Sequence, residues 1–274
     1  MYTEYQPSHL LVPYIDSYWE FKGNPDYGMR IHILPDGCTD FIFTLGEVAN
    51  AVEEGSLIMQ PYRSYFVGPM TKYSELVTYT ESIHMFGVRF LPCGLSCFTN
   101  LPLHEFVNSR VSTNEMKAVF DDTFIEKLGE QKHVTDRIRV VEEYLLAYLA
   151  RHYQPADSHV AMAVNMINHS KGKRSVRSLM DDVCLCQRHF ERKFKHYTGF
   201  TPKEYSRIVK FKNAVELLRT TTSANLLTTA VDAGYYDLAH FSKEIKSLSG
   251  NTPASFLSLT VPEETTLTYI EPQR

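Results

Sequence analysis

The sequence predicts an α+β fold in which a sheet-rich domain is followed by an all-α domain. Three observations lead to this prediction. Short apolar stretches bounded by turn signals recur before residue 134, apolar residues at helical spacing dominate after it, and one helical segment occurs twice in the second half. With 274 residues, of which 43% are hydrophobic, the chain is long enough for two domains.

The first half has the pattern of a β-barrel or β-sandwich. Its strand-like stretches include DFIFTLG, SYFVGPM and HMFGVRFL, and turn signals such as the PDG of Pro35–Gly37 separate them. We assign this sheet-rich domain to residues 1–133.

A long amphipathic helix follows the sheet-rich domain. The segment Val134–Tyr153 carries Ile138, Val141 and Leu145 at helical spacing, and QPADS then ends it. Packing against the sheet is its favoured role, and a homodimer contact is the alternative. We predict a helix and linker at 134–157, an all-α domain at 158–258 that begins at a cap provided by Asp157 or Ser158, and a tail at 259–274.

Composition narrows the classes of protein. No run of about 18 apolar residues occurs, and the first residues lack the basic and apolar regions of a signal peptide, so we expect no membrane partner. The five cysteines suit neither a disulfide framework nor a four-ligand zinc site. We therefore expect a cytoplasmic location.

Charge is distributed unevenly along the chain. Residues 1–155 carry 12 Lys and Arg against 20 Asp and Glu, whereas residues 156–274 carry 16 against 12. Residues 171–212 alone hold 12 basic and 4 acidic side chains. Such a block suggests a polyanionic partner, although a solvated helical face is the commoner cause of a charge run.

A repeat organises the basic half. The stretch GFTPKEY at Gly199–Tyr205 returns as GNTPASF at Gly250–Phe256, 51 positions later. Aligning residues 186–205 with 237–256 gives six identities in twenty, where chance gives roughly one. The repeat therefore indicates a duplicated supersecondary unit.

Each copy reads as two helices joined by a tight turn. In the first copy Phe190, Phe194 and Tyr197 follow helical spacing after a short non-periodic segment. In the second copy Gly234 lies in the turn, and Asp237 is a good N-cap for the helix that follows. Gly199 and Gly250 are suited to end the second helix of each copy, and a long helix joins the two helix-turn-helix units.

The side of the first recognition helix that faces away from its core is rich in long polar side chains. These residues are Arg188, Glu191, Arg192 and Lys195, opposite Phe190 and Phe194. A helix with this face fits the DNA major groove, where Arg bonds guanine O6 and N7. A helical bundle with no nucleic-acid partner is the alternative, and periodicity alone does not exclude it.

The stretch AVDAGYYDLAHFSKEIKSLSGNTPASF at residues 230–256 resembles the signature of the AraC/XylS family of transcription regulators. The first copy, together with the helix after it, resembles the family's first helix-turn-helix unit, so the similarity covers roughly residues 158–257. It implies double-stranded DNA as the binding partner and RNA polymerase as a further partner of the regulator. The family's base-reading positions fall on Arg188, Glu191 and Arg192 in the first recognition helix, and on Ala239, Ser242 and Lys243 in the second.

The second recognition helix has fewer side chains that can reach and bond to bases than the first. Because Ala239 and Ser242 are short, we expect the first helix to supply most base recognition, with Lys243 and Lys246 anchoring phosphates. On the connecting helix, Arg207 and Lys210 are either phosphate contacts or surface residues.

The first copy departs from the family pattern at its turn. Cys184 and Cys186 stand where the family usually has Gly and Ser or Thr. We expect each departure to cost about 1 kcal/mol of helix stability, through the lost Gly and the lost N-cap hydroxyl.

The first half resembles the sensor-like domain that precedes the DNA-binding part in one subset of these regulators. The resemblance rests on ILPDGCTDFIFTLG, YFVGPM, MFGVRFLPCGL and PLHE. It implies a cupin-like β-barrel followed by helices, which modulates DNA binding through a small-molecule effector or through dimerisation. A regulator driven by a protein partner, with no effector, is the alternative.

Two further alternatives are enzymatic, and neither has support from residues. A cupin-type metal site needs clustered histidines, whereas His32, His84 and His104 are far apart in sequence, so we predict no metal and no cofactor. The GxSxG motif, a phosphate-binding loop and the cysteine-rich start of methyl-accepting DNA-repair proteins are absent.

Five aromatic residues of the first half either pack the core, which is favoured, or line an effector pocket: Tyr14, Tyr18, Trp19, Phe41 and Phe43.

Overall fold

The computed structural model describes residues 2–25, 29–46, 51–53, 59–78, 82–116, 119–120, 122–152, 154–220, 226–254 and 268–270. The predicted α+β fold is confirmed: a sheet-rich part precedes a helical part. The strands are β1 (Tyr2–Tyr5), β2 (Ile15–Gly23), β3 (Met29–Ile33), β4 (Thr39–Thr44), β5 (Ala51–Glu53), β6 (Ser64–Val67), β7 (Ser74–Thr78), β8 (Ile83–Phe90), β9 (Arg110–Ser112) and β10 (Thr268–Ile270).

The helices are α1 (Asp122–Gly129), α2 (Val134–His152), α3 (Ser158–His169), α4 (Val176–Val183), α5 (Gln187–Thr198), α6 (Pro202–Thr220), α7 (Leu226–Asp232) and α8 (Leu238–Ser249). A 3-10 turn at Leu103–Phe106 precedes β9. None of the described helices has the length and apolar character needed to span a lipid bilayer.

Two antiparallel sheets form the first domain. The larger has the strand order β1-β2-β8-β4-β6-β9, and the smaller has the order β10-β3-β7-β5. In β10, which pairs with β3, residues 268–270 of the predicted tail return to the first domain. The rest of the tail predicted at 259–274 lies outside the described residues.

The larger sheet is buried on both faces. In β4, Phe41 and Phe43 point into a core shared with the helices, while Ile42 points into a second apolar cluster between the sheets. Helix α2 packs Val141 and Leu145, both fully buried, into the first core. Its apolar stripe is therefore used inside the domain, which is the role favoured from the sequence.

Local capping sets the helix boundaries of the second domain. The Asp157 carboxylate accepts hydrogen bonds from the first turn of α3, and Asp237 does the same for α8, as predicted. At the start of α6, Thr201 and Glu204 form a reciprocal capping box. Gly199 and Gly250 end α5 and α8 in the left-handed conformation, with φ of 81° and 78°.

The helical domain has two small cores, one for each helix-turn-helix unit. Leu179, Phe190 and Phe194 belong to the first, and Ala230, Phe241 and Ile245 to the second. Helix α6 contributes to both, with Ile208 in the first core and Phe211 in the second. The two units are thus joined by one continuous helix.

Candidate nucleic-acid interface and barrel cavity

Helix α5 presents its polar side chains to solvent. Phe190 and Phe194 are fully buried, whereas Arg188, Arg192 and Lys195 on the opposite side are exposed. Glu191 is partly buried and accepts a 2.9 Å hydrogen bond from the Gln187 amide. The structure therefore brings the four predicted residues of this helix to one accessible face.

The turn before α5 has cysteines at two positions where other residue types are favoured. Cys184 ends α4 in the left-handed conformation, with φ of 55°, where a residue with a Cβ is strained. Cys186 occupies the N-cap of α5, and its side chain makes no capping hydrogen bond. Both cysteines are exposed and free.

Helix α8 offers a similar but less polar face. Phe241 and Ile245 are buried, and Ala239, Lys243 and Lys246 are exposed on the other side. Ser242 is partly buried. Phe256, which the repeat pairs with Tyr205, lies outside the described residues.

Two basic side chains of α6 are occupied by contacts within the helical domain. Arg207 forms an ion pair with Glu244 of α8 and donates a 3.0 Å hydrogen bond to Ser247. The Lys210 ammonium lies 3.3 Å from the Gly234 carbonyl oxygen and 5.6 Å from the centre of the Tyr235 ring. Both side chains therefore connect α6 to the second helix-turn-helix unit.

A separate cavity of about 70 Å³ lies between the two sheets of the first domain. Its walls are mainly apolar and include Trp19, Phe21, Ile31, Ile42, Met70 and Met85. The Trp19 indole lies against Gly87, where a Cβ would come within 1.9 Å of the ring. A glycine is therefore required on β8 for the tryptophan to occupy this wall.

A buried ionic cluster forms the polar part of the cavity wall. Arg89 lies 3.3 Å from Asp40 and 3.5 Å from Asp36. The Trp19 indole N–H donates a 2.7 Å hydrogen bond to Asp40. Burial raises the pKa of Asp40 above its usual range, and the adjacent guanidinium opposes that shift. The cluster therefore provides hydrogen-bonding groups at a site surrounded by hydrocarbon.

The aromatic residues singled out from the sequence divide between two environments. Trp19 lines the cavity, while Tyr14, Tyr18, Phe41 and Phe43 pack in the core between sheet and helices. Sequence reasoning missed Asp36, Asp40 and Arg89. The PDG turn and the DFIF strand placed both aspartates near each other, but Arg89 lies some 50 residues further on.

The three histidines considered as metal ligands each have a different neighbour. His84 lies 2.9 Å from Glu20, and His32 lies 3.5 Å from Glu75. The ring of His104 lies 6.3 Å from that of His196, across the contact between the two domains. Each histidine thus has a different carboxylate or imidazole neighbour.

Comparison with known proteins defines the class. Residues 179–258 match the family described as a helix-turn-helix domain, HTH_18, and residues 3–112 match a domain of unknown function, DUF6597. No curated protein matches the chain in sequence. The second domain is therefore an AraC-type helix-turn-helix domain, and the resemblance found in the sequence is confirmed. Residues 179–258 thus give the chain a DNA-binding domain of the type found in transcription regulators.

Several solved structures are similar to this chain. ToxT from Vibrio cholerae is 9% identical, with 94% of this chain and 97% of that chain covered and a TM-score of 0.46. The C-terminal domain of AraT, a response regulator from Geobacillus stearothermophilus, is 20% identical over 40% of this chain and 92% of that chain, with a TM-score of 0.36. A probable AraC family transcriptional regulator from Rhodopseudomonas palustris CGA009 is 19% identical over 37% of this chain and 96% of that chain, with a TM-score of 0.34.

Proposed function

We propose that the protein reads duplex DNA with α5, anchors itself with α8, and responds to a small, mainly apolar molecule in the cavity between the two sheets. One observation carries the first part of this proposal. The exposed donors of α5 lie opposite its two buried phenylalanines, so the helix can enter a major groove without losing its packing.

The side chains of α5 have distinct roles in this proposal. Arg188 and Arg192 have the planar donor geometry that bonds guanine O6 and N7, and Glu191 accepts from a cytosine amino group. Lys195, one turn further along, contacts a phosphate. Base recognition therefore depends mainly on the first helix.

Helix α8 supplies affinity rather than most of the specificity. Lys243 and Lys246 contact phosphates, while Ala239 contributes apolar contact with a thymine methyl and Ser242 a single short hydroxyl. We assign Arg207 and Lys210 to bracing α6 against the second unit, because both are already bonded there.

The cavity supports the effector part of the proposal. Ligand sites are mostly apolar with a few placed polar groups, and this cavity combines apolar walls with the Asp36, Asp40 and Arg89 cluster. Its volume of about 70 Å³ corresponds to roughly five ordered waters, so the ligand is small. A regulator driven by a protein partner is the competing function.

RNA polymerase is the downstream partner that this class of regulator implies, and a cytoplasmic location follows from that role. One chain already supplies two recognition helices, so the proposal requires no second copy. A homodimer would need a surface other than the apolar stripe of α2, which is buried against the sheet.

Paired substitutions in α5 test the proposal. Arg192→Ala should weaken binding to the preferred site by about 1 to 3 kcal/mol and relax preference at one base pair, because a bidentate contact is lost. Lys195→Ala should weaken binding to all sequences alike. Binding is measured on a site selected from random DNA and on unrelated duplex.

Arg139→Ala is the matched control for this test, because it removes one exposed positive charge from α2, which belongs to neither helix-turn-helix unit. It should leave both affinities unchanged. Equal losses on selected and unrelated DNA from both α5 variants would remove the assignment of base recognition to Arg192.

A further inference from the structure

The two recognition helices end against the same part of the first domain. At Gly199, which ends α5, a Cβ would lie 2.4 Å from Cγ of Pro69. At Gly250, which ends α8, a Cβ would lie 2.7 Å from Cζ of Tyr73. Neither helix end has room for one additional methyl group beside the first domain.

Pro69 and Tyr73 belong to one short connection. It runs from β6 of the larger sheet to β7 of the smaller sheet, and we call residues 69–73 the clamp loop. Four residue steps of chain span at most about 14 Å. The clamp loop therefore limits how far apart the ends of α5 and α8 can lie while both contacts hold.

Hydrogen bonds from one residue hold the clamp loop in place. The Asn108 backbone N–H donates to the Pro69 carbonyl oxygen at 2.8 Å. Its side-chain oxygen accepts from the Thr71 backbone N–H at 2.8 Å, and its side-chain nitrogen donates to the Thr71 hydroxyl at 2.8 Å. With three bonds to a five-residue segment, the loop has a fixed shape.

A second connection between the sheets contacts the helical domain beside the clamp loop. It joins β3 to β4, and in it Leu34 packs into the core of the second helix-turn-helix unit. Gly37, with φ of 88°, lies so close to Tyr205 of α6 that a Cβ would be 2.8 Å from the ring. The first domain thus touches both units and the helix that joins them.

From these contacts we propose that the clamp loop sets the separation of the two recognition helices, and thereby the spacing between the two DNA half-sites that the protein accepts. Pro69 and Tyr73 are positioning residues in this proposal, because they act through Gly199 and Gly250 and touch no DNA. Each base pair added between the half-sites increases their separation by about 3.4 Å and also rotates one relative to the other. A protein with a fixed distance between its recognition helices therefore binds poorly to sites with most other spacer lengths. The inference rests on the proposed function of α5 and α8.

Spacer length is the measurement that tests this inference. Full-length protein is titrated with duplexes that carry both half-sites at the selected spacing, or with one or two base pairs inserted or removed, and with a duplex that carries only the α5 half-site. Wild-type binding should fall roughly tenfold or more when the spacer changes by two base pairs. In Tyr73→Ala the ratio between the affinities at the selected and the altered spacing should drop to about threefold or less. The affinity for the single half-site should change less than about twofold.

Two variants control for the aromatic ring and for general damage. Tyr73→Phe keeps the ring against Gly250 and should retain the wild-type ratio. Tyr62→Ala removes an exposed tyrosine elsewhere in the first domain and should also retain it. Should Tyr73→Ala prove unstable, Pro69→Ala provides the same comparison at the other helix end.

The outcomes separate the clamp from the proposed function. A wild-type protein without preference for any DNA sequence overturns the proposed function. If the wild-type protein prefers one spacing and both Tyr73→Ala and Pro69→Ala keep its full affinity ratio, the inference about the clamp loop is overturned. The proposed function then stands. A loss of single half-site binding in proportion to the loss on spaced sites also overturns the clamp, because general unfolding then explains the effect.

Discussion

Cys186 illustrates how one residue can leave a recognition helix less stable than its position allows. An N-cap side chain that accepts a hydrogen bond satisfies an otherwise unbonded N–H of the first helical turn. Asp237 does this for α8, whereas Cys186 does not for α5. The helix that carries the proposed base contacts is therefore the less well capped of the two.

Replacing the thiol by a hydroxyl should correct this difference. Cys186→Ser is expected to raise the free energy of unfolding of the helical domain by about 1 kcal/mol, because serine is a strongly preferred N-cap residue. For a domain of this size, a shift in its thermal midpoint of roughly 4 to 8 °C, measured by calorimetry, would show it. Cys186→Ala is the matched control and should bring no gain. An equal gain in both variants would mean that loss of the thiol, rather than capping, stabilises the helix.

At the residue scale, the sequence predicts what local geometry decides. The caps at Asp157 and Asp237 and the left-handed Gly199 and Gly250 follow from short-range rules, and the structure confirms them. The contacts of both glycines with the first domain could not be predicted. A helix end fully explains a glycine, so nothing in the local pattern signals that a distant Pro69 also requires one.

At the scale of elements, the contact between α6 and α8 decides the role of a basic side chain. From the sequence, Arg207 was equally suited to contact phosphate or to lie on the surface. The structure pairs it with Glu244, which lies 37 positions later and is mostly buried. Because this partner is distant in sequence, helical spacing within α6 gave no sign of it.

Salt dependence distinguishes a bracing role from a phosphate contact. We expect Arg207→Ala to lower stability by about 1 kcal/mol or less, since the ion pair is partly screened by solvent. It should weaken DNA binding without changing the slope of log affinity against log salt. Loss of a phosphate contact would instead reduce the magnitude of that slope by about one. Lys203→Ala, at an exposed position on the same helix, is the control and should change neither the stability nor the slope.

Strand patterns predicted the sheets but not the cavity. Strands such as β4 are apolar at consecutive positions because both faces of the larger sheet are buried. Periodicity therefore shows that Phe41 and Ile42 point to opposite faces, but not which face meets helices and which meets a cavity. That distinction depends on the second sheet, which is assembled from segments elsewhere in the chain.

At the scale of the whole molecule, the same connections of the first domain line the cavity and contact the helical domain. Asp36 and Cys38 line the cavity, and the connection that holds them also packs Leu34 against the helical domain. Met70 lines the cavity from within the clamp loop. A ligand that binds one arrangement of these connections more tightly than another must therefore bias the recognition helices, and DNA must bias the ligand equally.

This reciprocity gives a prediction for the effector and for Tyr73. A small apolar compound that raises the thermal midpoint of the full-length protein should change its DNA affinity by some factor, and DNA should change the affinity for the compound by the same factor. Tyr73 contacts Gly250 but does not line the cavity, so Tyr73→Ala should bind the compound normally while its DNA affinity no longer responds. Calorimetric titration of compound and DNA, each with and without the other, measures both factors. A variant that loses the compound itself, or one that keeps the full response, would show that coupling does not pass through the clamp loop.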